Sequence, residues 1–483
     1  MIDLRTLLSN LSVQGLPGAP MRIAQVALDS RAVKPGALFV AIEGFQSDGH
    51  DHAEQAVKNG AVAVLAQRDI PGLKVPVLLV QDTRLALARV SACFYGQPAT
   101  RLSLVGITGT NGKTTIATLL EAVLNSANRD AGFIGTLGYR WSQHSYDGAR
   151  TTPDALVLHG LFAEMLDDHV DTVVMEVSSH AVKLHRTAGL NFDAAIFTNF
   201  TRDHMDFHPT EADYLQSKVG LFRQLKPAGV AVINGDDARA GVFVEAAGDR
   251  SITYGFLPNN DAVITAYEYT EHGSQFSFRF QQDSYDFHLP LWGRFNVANG
   301  LAAAVTALAM HVSVEAIQRG FNRVFRVPGR MDGFMAPQGF RVIVDYAHTP
   351  DALTNVIAAV REMTSGRVIT LFGCGGDRDA GKRPQMAAIA EKGSDCCVIT
   401  SDNPRSEDPA TIIAAIVAGL ERPDEAIIIE DRRVAIERAL SEAQPGDCVL
   451  LAGKGHETYQ EICGVRHDFD DLEIARIWTE TQS

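Results

Sequence analysis

The sequence predicts an α/β protein of three domains: a small N-terminal α/β domain over residues 1–98, a central domain with a parallel sheet and a phosphate loop over 99–327, and a C-terminal Rossmann-like domain over 328–483. Three observations predict it. A chain of 483 residues has room for about three cores. Residues 102–124 read as a buried strand, a glycine loop and an apolar helix. Beyond residue 330, apolar strand-like runs alternate with helical patterns, which implies a mostly parallel, doubly wound sheet.

In the first domain, 37–42, 62–65 and 75–80 read as strands, with Pro76 near a strand start or at an edge. Residues 51–59 have a helical pattern that stops at Gly60. Two polar stretches, 28–31 and 44–50, read from the residues alone as surface turns. Gln97-Pro98 marks a linker.

The central domain opens on Leu102–Ile107, followed by Thr108, Gly109, Thr110, Asn111, Gly112, Lys113 and Thr114. Glycines admit the backbone angles of a tight loop. Backbone N–H groups and a helix N-terminus then face an anion, and the lysine neutralises it. The strict Walker spacing is not met, because Ile107 occupies the first glycine position. Residues 172–177 form a strand carrying Glu176 near its end, where an acid can reach a nucleotide-bound magnesium. Residues 194–198 feed a loop holding Asp203, His204, Asp206 and His208; zinc is conceivable there, but magnesium suits a phosphate loop better. Lys218 lies on a helix over 211–224, where the ordinary expectation is a solvated lysine. A strand over 230–234, a β excursion over 261–291 and an apolar helix from 293 follow, with Asn296 and Asn299 on one helix face.

Val327-Pro-Gly329 marks the second boundary. Strands are expected at 341–345, 368–372, 396–400, 426–430 and 448–452, with helices at 351–363 and 433–443 between them. Ligands of such sheets sit beyond the carboxyl ends of the strands. Four conspicuous loops fall there: 345–350, 373–378, 402–405 and 453–457. Residues 373–378 lack dinucleotide glycine spacing, which argues against NAD.

Acidic residues outnumber basic ones, 58 to 43, for a net charge of −15, which disfavours a general nucleic-acid binder. No apolar run is long enough for a membrane span, and no leader pattern is evident. The 6 cysteines lack zinc spacing and read as buried thiols in a reducing cytoplasm.

The motifs Thr108–Thr114, Glu176–His180, Thr198–His204, Phe295–Asn299, Gly329-Arg330 and Asp345–His348 together resemble the Mur ligases, ATP-dependent amide-forming enzymes of bacterial cell-wall synthesis. The match runs in order along essentially the whole chain. The resemblance implies a monomeric cytoplasmic ligase that uses ATP and Mg2+. Its small-molecule substrates would be a UDP-linked muramoyl dipeptide and an amino acid. Leu28, Ser30, Phe45, Gln46 and Ser47 would contact the uridine nucleotide, and Thr151, Thr152, Ser178 and Arg186 the sugar-peptide part. Thr108–Thr114, Asn296, Arg330 and Asp345 would serve ATP. Thr114, Glu176 and His204 would hold magnesium. Lys218 matches a lysine carbamylated in the family, whose carbamate would help to hold a second magnesium. Arg378, Asp402, Asn403, Pro404, Arg405, Gly453 and Glu457 would surround the incoming amino acid. The 402–405 run resembles the motif of the branch that takes meso-diaminopimelate. Leu184, Arg150 and Phe45 depart from the family pattern.

Such a ligase would form an acyl phosphate, which the amine attacks, with no nucleophilic side chain required. Folylpolyglutamate synthase is a rival reading, though it typically carries Gly-Lys-Gly-Ser where this chain has Gly-Lys-Thr-Thr. Other Mur ligases, a lysine-adding member of the branch, and a nucleotide-switched binding protein are further rivals.

Overall fold

The computed structural model describes all residues except Gln46, Ala149, Glu271 and Ser483. The chain forms two compact units: residues 1–108, 129–195 and 217–229 in the first, and 109–128, 196–216 and 230–483 in the second.

The first unit begins with a four-stranded parallel sheet in chain order: Gln25–Ala27, Ala37–Val40, Ala61–Ala66 and Val77–Leu79. Side chains alternate across a strand, so Leu38 and Val40 meet Leu4, Leu87 and Val90, while Ala37 and Phe39 meet Val33, Ala53 and Ala56 on the other face. Every residue of Ala37–Val40 is buried, hence its continuous apolar run. The helix expected at 51–59 is a 3-10 turn, Gly49–His52, leading into Ala53–Lys58. Residues 28–31 do turn, through the 3-10 helix Ser30–Ala32.

Also in this unit, Ser103–Thr108 lies parallel to Thr172–Glu176, which lies parallel to Ala131–Gly135. An antiparallel hairpin, Gly138–Trp141 and His144–Tyr146, extends this run. The register sets Glu176 opposite Ile107, and Val177 N–H donates to Ile107 O at 2.8 Å. Glu176 therefore sits level with the end of the strand that feeds the glycine loop.

In the second unit, the helix Lys113–Ser126 packs against Arg294–Ala309 and Val314–Phe321. The excursion is a meander of Ala262–Thr270, Gly273–Phe280 and Asp283–Leu289. A six-stranded sheet follows, in the order Asp332–Met335, Arg341–Asp345, Cys448–Ala452, Val368–Phe372, Cys396–Ile399, Ile427–Ile428. The first strand is antiparallel and the others parallel. Ile343 faces Leu353, Val356, Val360 and Met386, whereas Val342 and Val344 face Ile436, Leu440 and Ile474. Both faces are thus covered, as in a doubly wound fold. The strand expected at 426–430 shortens to Ile427–Ile428 at the edge of the sheet. The buried-thiol expectation holds for Cys374, Cys397 and Cys448, whereas Cys93 and Cys396 are half-buried and Cys463 is exposed.

Candidate functional sites

The glycine loop is held in place by hydrogen bonds to Thr198 and Asn199. Asn111 N–H donates to Asn199 Oδ1 at 2.9 Å and Thr110 N–H to Asn199 O at 2.9 Å, while Thr198 Oγ1 donates to Asn111 O at 2.5 Å. Gly109, at φ +146°, has no room for a side chain: a Cβ would run into Thr198 Oγ1. Lys113 Nζ donates to the carbonyls of Gly109 and Thr110, both at 2.9 Å. The loop thereby holds an ammonium over its own rim.

Beside it is a cavity of about 150 Å3 that includes Asn111, Gly112, Asn299, Arg330 and Asp345 in its wall. Asn296 is not part of this wall; it orients Asn299, whose Nδ2 donates to Asn296 Oδ1 at 3.1 Å. Asn296 in turn donates to Trp292 O, just ahead of the helix Arg294–Ala309 and its cap Gly293. Arg330 lies over the Tyr346 ring at 4.6 Å, and Met331 N–H donates to Asp345 Oδ2 at 2.8 Å. Burial pushes the Asp345 carboxyl up, and Arg330 pulls it part of the way back. Phe295, the first residue of the Phe295–Asn299 motif, lines this cavity too, as do Tyr254 and Asn355, which no motif marked.

Glu176 is wholly buried in the first unit. Its Oε1 accepts from Thr136 N at 2.8 Å, and its Oε2 accepts from Thr136 Oγ1 at 3.1 Å. Thr152 Oγ1 donates to Glu176 O at 2.8 Å and accepts from Ser178 N at 3.1 Å. Arg186 donates to Thr152 O at 2.8 Å. Thr151, Thr152, Ser178 and Arg186 therefore form one connected group, with Thr151 Oγ1 3.1 Å from Thr136 Oγ1.

A second cavity of about 740 Å3 belongs to the same unit, and Leu28, Phe45 and Arg186 line it. Arg84 and Arg150 line it too, giving three guanidinium groups around one space. Burial, with Arg150 and Arg84 nearby, pulls Arg186 down to about 10. Cations crowded in this way favour an anionic ligand. Arg84 carried no sequence signal. The departures at Phe45, Arg150 and Leu184 all face this cavity. Ser30 is buried and Ser47 bonds His52, and neither is in its wall. Gln46 lies outside the described residues.

His204 adopts φ +57° in the second unit, with Nε2 3.5 Å from Asp203 Oδ2. Burial alone would raise Asp203, but His204, His348 and Lys382 hold it down at about 2. His208 is buried, and its Nδ1 pairs with Asp213 Oδ2 at 2.7 Å. No group of three His, Cys, Asp or Glu among the described residues has metal-holding geometry. Thr114 is buried at the start of its helix. Lys218 is only 2% exposed, so the solvated-lysine expectation does not hold.

The four rim loops converge. A Cβ on Gly453 would lie 2.7 Å from Asp402 Oδ2, and one on Gly373 would lie 3.0 Å from Asp402 N. Asn403 Nδ2 donates to Glu457 Oε2 at 2.7 Å. Arg405, at φ +53°, donates through a guanidinium nitrogen to Gly376 O at 2.8 Å and forms no ion pair among the described residues. Glu407 pairs with Arg383 at 2.9 Å, and Asp408 caps the helix Pro409–Val417. Pro404 is buried behind them, while Arg378 is exposed and donates to Asp377 O. Burial pushes the Asp402 carboxyl up, but Arg432 and Lys454 overcome it and hold the group below its usual range.

Three family models match the chain: the Mur ligase family catalytic domain over residues 22–95, the Mur ligase middle domain over 107–307, and the Mur ligase glutamate ligase domain over 329–455. The UDP-N-acetylmuramoyl-L-alanyl-D-glutamate–2,6-diaminopimelate ligase of Geobacillus thermodenitrificans is 44% identical, over 98% of this chain and 99% of its own length. The ligase of the same name from Syntrophomonas wolfei is 43% identical, over 97% of each. A solved structure of a ligase of that name superposes with a TM-score of 0.70 at 33% identity, covering 100% of this chain and 99% of that one. Folylpolyglutamate synthase of Mycobacterium tuberculosis has the same fold at 20% identity, with a TM-score of 0.65, over 76% of this chain and 92% of that one. The chain belongs to the Mur ligase family.

Proposed function

We propose that this chain joins the amine of meso-2,6-diaminopimelate to the γ-carboxylate of UDP-N-acetylmuramoyl-L-alanyl-D-glutamate, converting ATP to ADP and phosphate. A carboxylate is a poor electrophile, and amide formation in water is uphill. Transfer of the γ-phosphoryl group to the carboxylate forms an acyl phosphate. Attack by the amine then forms the C–N bond, and phosphate leaves with the C–O electron pair.

In this reading the loop amides and Lys113 offset the repulsion between two anions. The cavity beside Arg330 and Asp345 takes the nucleoside part of ATP. The arginine-lined cavity takes the UDP-linked substrate, its diphosphate facing Arg84, Arg150 and Arg186. Magnesium is the cofactor this chemistry calls for: within the first unit the Glu176 carboxylate and a carbamate on Lys218 would offer it hard oxygens, and within the second the Thr114 hydroxyl would, with the His204 imidazole as a further donor. When bound, it would screen the phosphate charges. The protein acts as a monomer in the cytoplasm, with domain boundaries near 98 and 327.

The observation that carries the choice of acceptor is Arg405. Meso-diaminopimelate differs from lysine by a carboxylate at the far end, and a planar guanidinium grips a carboxylate with two hydrogen bonds. Arg405 has no carboxylate partner of its own among the described residues. The test is phosphate release with ATP, the UDP-linked dipeptide and a panel of amines. Release should require both the dipeptide and diaminopimelate. Equal kcat/KM for lysine would refute the acceptor, and slow release indifferent to any amine would refute a ligase.

A further inference from the structure

Lys454 is the one lysine of the 453–457 rim, and its side chain is wholly buried. Its Nζ lies 3.2 Å from Asn403 Oδ1, donates to Tyr459 O and stands 3.5 Å from Glu457 Oε2. An ammonium has three N–H bonds, and these three acceptors account for them. None is left for a substrate. Its hydrogen bonds therefore act only on those partners, and beyond them its charge reaches Asp402.

Asn403 is consumed in the same way. Its Oδ1 accepts from Lys454 Nζ and from Glu461 N–H at 3.0 Å, and its Nδ2 donates to Glu457 Oε2. Flipping the amide would set an NH2 against an ammonium and an N–H, so its orientation is fixed. Both donors thus converge on Glu457 Oε2. The other oxygen, Oε1, has no protein partner among the described residues.

We infer that Lys454 is a positioning residue of the acceptor site: through Asn403 and directly, it holds Glu457 by Oε2, turned so that Oε1 receives the ammonium of the incoming amino acid. This rests on the proposed function. The charged and titratable groups facing Glu457 are Asp402, Lys454, Arg432, Tyr346 and Tyr459. Burial and then Asp402 push the Glu457 carboxyl up, and Lys454 and Asn403 oppose them. Only the ionised form pairs with an ammonium. Removing the Lys454 charge therefore moves loss of acceptor binding to higher pH.

The test is Lys454→Met, which keeps most of the volume, assayed with ATP, the UDP-linked dipeptide and meso-diaminopimelate. KM for diaminopimelate should rise at least tenfold, with KM for the other two substrates within twofold of wild type. The acid limb of kcat/KM for diaminopimelate should move up by about one pH unit. In a Glu457→Gln background the same substitution should add less than twofold. Lys454→Gln, which can still donate to Asn403 but carries no charge, should show the same acid-limb shift and covers the case in which the methionine variant does not fold. An unmoved acid limb, or an equal rise in all three KM values, overturns the inference. Failure of the wild-type enzyme to use diaminopimelate at all would instead overturn the functional reading.

Discussion

Single side chains carry the most direct tests. Lys113 spends its ammonium on two carbonyls of its own loop, an arrangement that phosphate oxygens would replace. Removing one preorganised donor to developing charge costs about 100- to 1000-fold in kcat. Lys113→Ala should therefore lose at least that much turnover with an unchanged circular dichroism spectrum, and near-normal turnover would exclude Lys113 from phosphate transfer. Arg405 is a second case. With lysine as acceptor the guanidinium loses its anion, at about 1.5–3 kcal/mol per charged hydrogen bond. Two such bonds give discrimination on the order of a hundredfold or more. Arg405→Ala should bring the two kcat/KM values together, and unchanged selectivity would remove it as the reader of the far carboxylate. For Lys218, buried on the helix Glu211–Phe222, we propose carbamylation. Lys218→Ala should be inactive and partly restored by short carboxylic acids, whereas a fully active variant would end that assignment.

At the scale of elements, one buried ion pair ties the rim together. Arg432 and Asp471 are both fully enclosed and meet at 2.6 Å. The same guanidinium donates to Ser401 O at 3.3 Å and Ala452 O at 3.1 Å, the carbonyls just before Asp402 and Gly453. The C-terminal helix Asp471–Thr481 is thereby fastened to two strand ends that carry acceptor loops. Breaking such a pair from one side leaves an uncompensated buried charge, at about 3–5 kcal/mol. Asp471→Ala should lower stability by that amount in urea unfolding, and a loss under 1 kcal/mol would show that water or another group takes its place. The strands of this sheet were legible because a strand covered on both faces is a continuous apolar run, as in Cys448–Ala452. The edge strand Ile427–Ile428 was overestimated because an apolar run does not report how many neighbours it has. The glycine loop was legible from its spacing and flanking apolar pattern. Arg84 and Lys454 were not, since an arginine in a helix and a lysine in a loop read as solvated until the fold encloses them.

For the whole molecule, the division into two units bears on how it unfolds. Each unit is built from three separate segments, so the chain passes from one to the other five times. Thr108 ends a strand of the first unit, and Gly109 opens the loop of the second. Melting one unit would release the anchored ends of segments in the other, and the conformational entropy gained would draw the second along. The two cavities nonetheless lie in different units, the arginine-lined one in the first and the one beside the glycine loop in the second. A ligand bound only to the folded state at 100 times its Kd adds about 2.7 kcal/mol. If the units unfold together, that energy raises a common transition whichever cavity is filled. We therefore expect one calorimetric transition, moved upward by the UDP-linked dipeptide alone, by ATP alone, and further by both. Two separable transitions, each answering to one ligand only, would mean that the repeated crossings do not couple the units.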